Sequence, residues 1–310
     1  MKTKSLLLLN SVLLLLLYGM IWAASNYPEQ LEAFYSNKFY PLVFEARSLY
    51  FNRFPFSLGD ITYAVVFLSI LYWIKTTNWK NWFLILLRLV TGILLLLLWF
   101  QLSWGLNYYR KPIVDSKELK PYTEEDLTKI TRFFAQESNR LHLQLSKGDS
   151  LAVELDGSKR EIIQRVATAQ SQHKIKGKAK ISLFSLPLSY MGFSGYLNPF
   201  TLEAQVNGRM PKINLPLTAA HEMAHQQGYA AENEANFMGF LHCYQHPALE
   251  IQYAAALFGF RYTYNELHKA NPIVAREILC SLYPGILENF KVSSAFWQKH
   301  KNPLEPLFKK

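Results

Sequence analysis

His221-Glu222-Met223-Ala224-His225, followed directly by Gln226-Gln227-Gly228, is the stretch on which the reading of this chain turns. On a helix, residues four apart share a face, so His221 and His225 present two imidazoles to one point. That pairing suits Zn²⁺. A glutamate directly after the first histidine can act as general base on a water activated there. Chance has to be weighed. A chain with 8 histidines in 310 residues carries such a pattern about once in a hundred cases. The surroundings therefore decide.

A catalytic zinc site takes three protein ligands and leaves one position open. The longer pattern HExxHxxGxxH needs histidine at position 231. Ala231 stands there, although Gly228 fits. The next candidates are Glu232 and Glu234. Two residues apart on a helix point about 200° apart, so only one of them can face the metal. Glu232 is preferred. Asn236 follows it at i+4 on the same face and can hydrogen-bond the far nitrogen of a ligand histidine. Glu234 is the runner-up, and a solvated helix charge is the plain alternative for either. His242 can serve an oxyanion or be a satisfied interior histidine. His246, His268 and His300 have no constellation around them.

Working outward, Asn214 to Pro216 leads into the motif helix, expected from about Leu217 to Gln227 and ended by Gly228. Glu232 to Gln245 and Ala248 to Lys269 read as helices, and Asn271-Pro272 starts another. Upstream, Thr123-Glu124-Glu125-Asp126 is a capping-box start for a helix to about Leu145. Glu161 to Gln170 reads as a further helix, and Ser171 to Lys180 as a basic turn. Ile181 to Tyr190 alternates roughly between apolar and polar residues, which predicts a strand. Tyr196 to Val206 predicts a second, interrupted at Asn198-Pro199. The fold class expected is α+β, mainly helical, with a small sheet.

The N-terminal third is different. Leu6 to Ala24 is an apolar run long enough for one bilayer span, with a cleaved signal peptide as its rival. Further spans are expected over about 58–75 and 82–104, with Trp79, Trp82, Trp99 and Trp104 as interface aromatics. Asn26 to Asp60 reads as amphipathic helix lying on the membrane, ending in a turn and cap at Phe54 to Asp60. A membrane domain over 1–105 and a second domain over 106–310 follow. Lys2, Lys4, Lys75 and Lys80 favour a cytoplasmic N-terminus and an extracytoplasmic C-terminal domain, against the pull of Lys38, Arg47, Arg53, Arg110 and Lys111. The net charge of +10 comes with no nucleic-acid motif, so contact with anionic lipid is expected rather than nucleic acid. Cys243 and Cys280 form no CxxC site and are expected as buried free thiols.

Several motifs together carry a resemblance. They are Phe56-Ser57-Leu58-Gly59-Asp60, Trp104-Gly105-Leu106-Asn107-Tyr108-Tyr109-Arg110, Gly195-Tyr196-Leu197-Asn198-Pro199-Phe200, the HExxH stretch, and Glu232-Asn233-Glu234-Ala235-Asn236-Phe237. With the apolar N-terminus, they resemble a bacterial membrane-protein family labelled domain of unknown function 3810. The site is similar to that of the gluzincin metallopeptidases, in which a second helix carries a glutamate ligand. That resemblance implies a zincin-like domain in which Glu232 is the ligand and Asn236 its supporting partner. Six residues separate His225 from Glu232, fewer than gluzincins commonly have.

The activity expected is hydrolysis of peptide bonds by a metal-activated water with Glu222 as general base. Tyr253, or Tyr264 in second place, can donate to the tetrahedral oxyanion, with core packing as the alternative. Phe200 to Val206 can pair with an extended peptide or protein substrate. Two other classes stay open. One is a non-catalytic membrane scaffold with a structural zinc of four protein ligands. The other is a zinc hydrolase acting on a non-peptide amide.

Overall fold

The computed structural model describes residues 3–114, 120–146, 148–168 and 177–308. The chain divides into two units. The first takes Met1–Pro112 together with two short excursions, Asn198–Glu203 and Gly228–Ala231, and the second takes the rest.

In the first unit, α1 (Thr3–Asn26), α4 (Leu58–Thr76) and a segment of helix over Trp79–Ser103 are long and apolar enough to cross a membrane. The last is chiefly α5 (Trp82–Ser103). Between α1 and α4 the chain stays helical through α2 (Pro28–Leu31), a π-helical stretch Glu32–Phe39, and α3 (Tyr40–Phe51). Leu13 and Leu17 of α1 pack on Leu94 of α5. Asn10 adds directional bonds to this apolar seam, donating to the Leu87 carbonyl at 3.1 Å and accepting from Thr91 Oγ1 at 2.7 Å. Where lipid offers no hydrogen bonds, such polar pairs help set helix register. The turn expected at Phe54 to Asp60 is present, with Ser57 Oγ accepting from the Asp60 amide at 2.9 Å as the N-cap of α4.

The excursions are held by this unit's own groups. The Glu203 carboxylate accepts from the Leu58 amide at 3.2 Å and the Gly59 amide at 2.6 Å. It thus satisfies two donors that the first turn of α4 leaves orphaned. Arg110 donates to the Gly228 carbonyl at 3.2 Å and lies over the Tyr229 ring at 5.0 Å. Its other arm pairs with Glu32 at 2.8 Å.

In the second unit, α6 (Glu124–Leu145) begins in the expected capping box of Thr123 and Asp126, and α7 (Lys159–Ala167) in one of Ser158 and Glu161. Gln170 and most of the basic turn lie outside the described residues. Then come β1 (Ala179–Ile181), α8 (Ser185–Met191), β2 (Gly195–Leu197) and β3 (Ala204–Val206). They are followed by α9 (Leu215–Gln226), α10 (Glu232–Tyr244), α11 (Leu249–Ala270), α12 (Pro272–Cys280) and α13 (Pro284–His300). The strands form one sheet in the order β1-β3-β2, with β1 parallel and β2 antiparallel to β3. The fold is mainly helical with a small sheet, as the sequence indicates.

Two strand expectations need correction. Ile181 to Tyr190 is not a strand: β1 ends at Ile181, and the rest turns into α8. Pro187 sits in the first turn of that helix, where its missing N–H costs nothing, and Gly192 closes it in the left-handed region at φ 77°. Tyr196 to Val206 is not one strand. It is two short ones, in the register Gly195↔Val206, joined by the Asn198–Glu203 excursion.

Helix α9 is largely buried. Leu215, Ala219, Ala220, Met223 and Ala224 are fully inaccessible, as are Ile251 and Ala255 of α11. A side chain the size of Met223 contributes about 1.5–3 kcal/mol by such burial. Cys243 is buried and free, donating to the Pro216 carbonyl, whereas Cys280 is free but exposed, against the expectation of burial.

His246 is a neutral interior group. Its Nε2–H donates to the Arg165 carbonyl at 3.1 Å and its Nδ1 accepts from the Ala248 amide at 3.0 Å. Desolvation holds its pKa below the ordinary value. The unfolded chain therefore binds a proton more readily, so stability is complete above about pH 6.5 and is lost as pH falls below it. Thermal unfolding in detergent between pH 7.5 and 5.5 should show a falling midpoint, with a smaller fall in His246→Gln. Equal pH slopes in the two proteins would contradict this assignment.

Candidate metal centre

The centre is built by α9 and α10. Helix α9 carries His221, Glu222 and His225, and its backbone turns at Gly228, which sits at φ 84° where a side chain is strained. A Cβ there would also meet the Asn107 side chain at 2.9 Å. The chain re-enters helix at Glu232, so this glutamate occupies the first turn of α10. The two helices lie close. A Cβ at Gly239 of α10 would be 2.9 Å from the His221 backbone nitrogen. This close approach brings the start of α10 over the histidine face of α9.

Three ligand atoms converge. His221 Nε2 is 3.3 Å from one Glu232 carboxylate oxygen, and His225 Nε2 is 3.6 Å from the other. All three residues can offer ligand atoms within 4.8 Å of one another. Ligands about 2.0–2.2 Å from a tetrahedral zinc lie about 3.3–3.6 Å apart, so this spacing fits one ion. The imidazole rings stand nearly perpendicular, at 87°, with centroids 4.6 Å apart. Hydrogen bonds from His221 and His225 hold the Glu232 carboxyl well below the usual carboxylate range. The donor set of two imidazoles and one carboxylate suits zinc.

Glu222 is buried beneath this cluster at 4% exposure. Burial pushes its pKa up to about 7, against the pull of the two histidines. Its Oε2 has no hydrogen-bond partner among the described residues. Its Oε1 lies where a side chain on Gly195 would be, 2.6 Å from that missing Cβ. Only glycine at the start of β2 leaves room for the carboxylate. A buried carboxylate without a partner is costly and is characteristic of sites that handle protons.

The other candidate residues fall into place or out of it. Glu234 turns away and accepts from the Ile113 amide at 2.7 Å. Asn236 shares a groove with His221 and Glu232. It does not support His221, whose Nδ1 is buried without a partner among the described residues. Tyr253 is not placed to meet an oxyanion. It is fully buried, donates to Asn289 Oδ1 at 2.9 Å, and lies 3.2 Å from His142 Nδ1. Tyr264 stacks on Phe260 and His268 and lines a neighbouring cavity instead. His242 is an interior histidine on the Val166 carbonyl at 2.7 Å. Phe200 to Val206 offers no free strand for a substrate, because β3 is central in the sheet; the edge next to Glu222 is β2.

Beside the cluster lies a groove of about 320 Å³. Its far wall includes Phe258 and Arg261 of α11 and Phe290 and Trp297 of α13. The sequence offers no motif for these residues. They lie 33 to 72 positions downstream of His225 (258 − 225 and 297 − 225), and only packing brings them to it.

Residues 35–310 match the family model described as Protein of unknown function (DUF3810). No curated protein and no solved structure matches the chain. The match covers most of the sequence, so the chain belongs to the DUF3810 family.

The grip of Arg110 on the Gly228–Ala231 turn has a direct check. Replacing Arg110 with methionine removes its charge-assisted bonds to Glu32 and the Gly228 carbonyl, at a cost of about 1–3 kcal/mol. Amide hydrogen exchange over residues 228–231 should speed up accordingly. Unchanged exchange there would mean that the turn holds itself.

Proposed function

We propose that this DUF3810 member is a membrane-anchored, zinc-dependent metallopeptidase in which Glu222 is the general base. The carrying observation is the convergence of His221 Nε2, His225 Nε2 and the Glu232 carboxylate, with the buried Glu222 alongside, whose Oε2 has no hydrogen-bond partner among the described residues. His221, His225 and Glu232 would hold the ion. Bound zinc would supply Lewis-acid polarisation of a scissile carbonyl and would acidify water at the site.

The rest is done by the chain's own groups. Glu222 accepts a proton from the attacking water and returns it to the leaving amine, work for which a pKa near neutrality is suited. Its buried setting keeps bulk water from competing for that proton. Strand β2 is the sheet edge at Glu222, and an extended peptide can add to such an edge by main-chain hydrogen bonds. That edge favours a peptide over other amides. A structural zinc would call for four protein ligands, and the cluster found among the described residues has three. This favours a catalytic site over a scaffold.

Purified protein is expected to hold about one zinc per chain. Glu222→Gln should keep that metal and lose roughly 10²–10⁴-fold in hydrolysis rate. Full activity in this variant, or a protein that takes up no zinc, overturns the reading.

The orientation proposed puts Lys75 and Lys80, which flank the connection between α4 and α5, on the cytoplasmic face, with the second unit outside. A reporter enzyme that folds only outside the cytoplasm, fused after Lys310, should then be active. Activity only in a fusion placed between Lys75 and Lys80 would reverse the assignment.

A further inference from the structure

Arg261 is the cation of the groove that the proposed hydrolysis does not use. It projects from α11 into the same groove that His221 and Glu232 line. It is exposed there, and no hydrogen bond or ion pair to it is found among the described residues. Desolvation by the surrounding atoms nevertheless lowers its pKa. A guanidinium does not give up its proton in a protein, so Arg261 stays charged, and no ion pair to it is found among the described residues.

The other charges in the groove do not answer it. Glu232 is the only carboxylate among the lining residues, and its oxygens face the two histidines. The remaining polar groups near Arg261 are neutral and largely committed. Asn289 is engaged by Tyr253 and Val153, and Asn214 accepts from Ser293 at 2.9 Å. With a dication held by the cluster, the groove would carry a net positive charge. Its apolar wall on the Arg261 side is aromatic, from Phe258, Phe290 and Trp297. A guanidinium fork beside aromatic faces is suited to binding a planar carboxylate two-pronged while the adjoining apolar group packs on the rings.

Arg261, Phe290, Ser293 and Trp297 also line a second cavity, of about 590 Å³. Arg261 therefore stands at the boundary of two adjoining spaces. A volume of about 320 Å³ on the metal side is small for a binding cleft and suits a short segment, not a folded chain.

We propose that Arg261 is a substrate-anchoring residue that selects short peptides presenting a carboxylate, with an apolar residue seated against Phe258, Phe290 and Trp297. The carboxylate can be the end of the peptide or an acidic side chain. This inference rests on the peptidase reading for its substrate class, but not for its binding measurement.

The test is equilibrium binding by calorimetry, using full-length Glu222→Gln protein in detergent, with and without zinc. The probes are N-acetyl-alanyl-phenylalanine, its C-terminal amide, and an amidated analogue in which aspartate replaces alanine. The free acid should bind at least about tenfold more tightly than the amide. Tight binding of the aspartyl amide as well would assign the anchor to side chains and chain ends alike, and weak binding to chain ends alone. In the Arg261→Ala background the preference should vanish while zinc content is unchanged, and Arg261→Lys should restore part of it. Equal affinity for acid and amide in the unsubstituted groove overturns the proposal. So does a preference that survives Arg261→Ala and disappears on chelation, since the metal would then be the anion's partner. A protein that takes up no zinc but still shows the Arg261-dependent preference would defeat the peptidase reading and leave the anchor standing.

Discussion

The approach of α10 to α9 is the constraint on which the rest of the site depends. Helix α9 ends at Gln226, and the chain has only the turn through Gly228 in which to reverse before α10 begins at Glu232. A side chain at Gly228 would be strained at φ 84°, and one at Gly239 would separate the helices. With both positions bare, the first turn of α10 lies over the imidazole face of α9. The carboxylate of Glu232 then meets both Nε2 atoms. The short spacing is what a direct reversal between touching helices produces.

That reversal is not left to itself. Gly228–Ala231 belongs to the unit that contains the apolar spans, and Arg110 holds it through the Gly228 carbonyl and the Tyr229 ring. The second excursion, Asn198–Glu203, places a carboxylate on the amides that open α4. One excursion joins α9 to α10, and the other joins β2 to β3. The backbone on either side of Glu222 is therefore continuous with segments fastened in the membrane unit.

Burial separates the carboxylates of the centre by role. Glu222 lies under the cluster, where desolvation favours its protonated form, and Gly195 gives it room. Glu232 lies toward solvent and is held ionised by two histidines. Two glutamates ten residues apart thus have opposite proton affinities. This division is what a proton-handling group and an anionic ligand each need.

Local chemistry made much of this legible in the sequence. The i, i+4 geometry of a helix puts His221 and His225 on one face whatever surrounds them, and the opposed directions of Glu232 and Glu234 follow from the same pitch. The caps at Ser57 and Thr123, the end of α9 at Gly228, and three apolar stretches of spanning length are also local. Short elements misled. Alternation over Ile181 to Tyr190 looks like a strand, yet Pro187 and Gly192 make most of it a helix. The central place of β3 depends on β1, far away in sequence, and so could not be read from its own residues. Tyr253 is an oxyanion candidate with core packing as its alternative, and its contacts with His142 and Asn289 place it in the core. Sequence alone determined that His221 and His225 share one face, because spacing along a single helix is set by its backbone. Only tertiary structure decided how close Glu232 comes, how deeply Glu222 is buried, and that Arg261 shares their groove. Those depend on packing between segments distant along the chain, which no local pattern encodes.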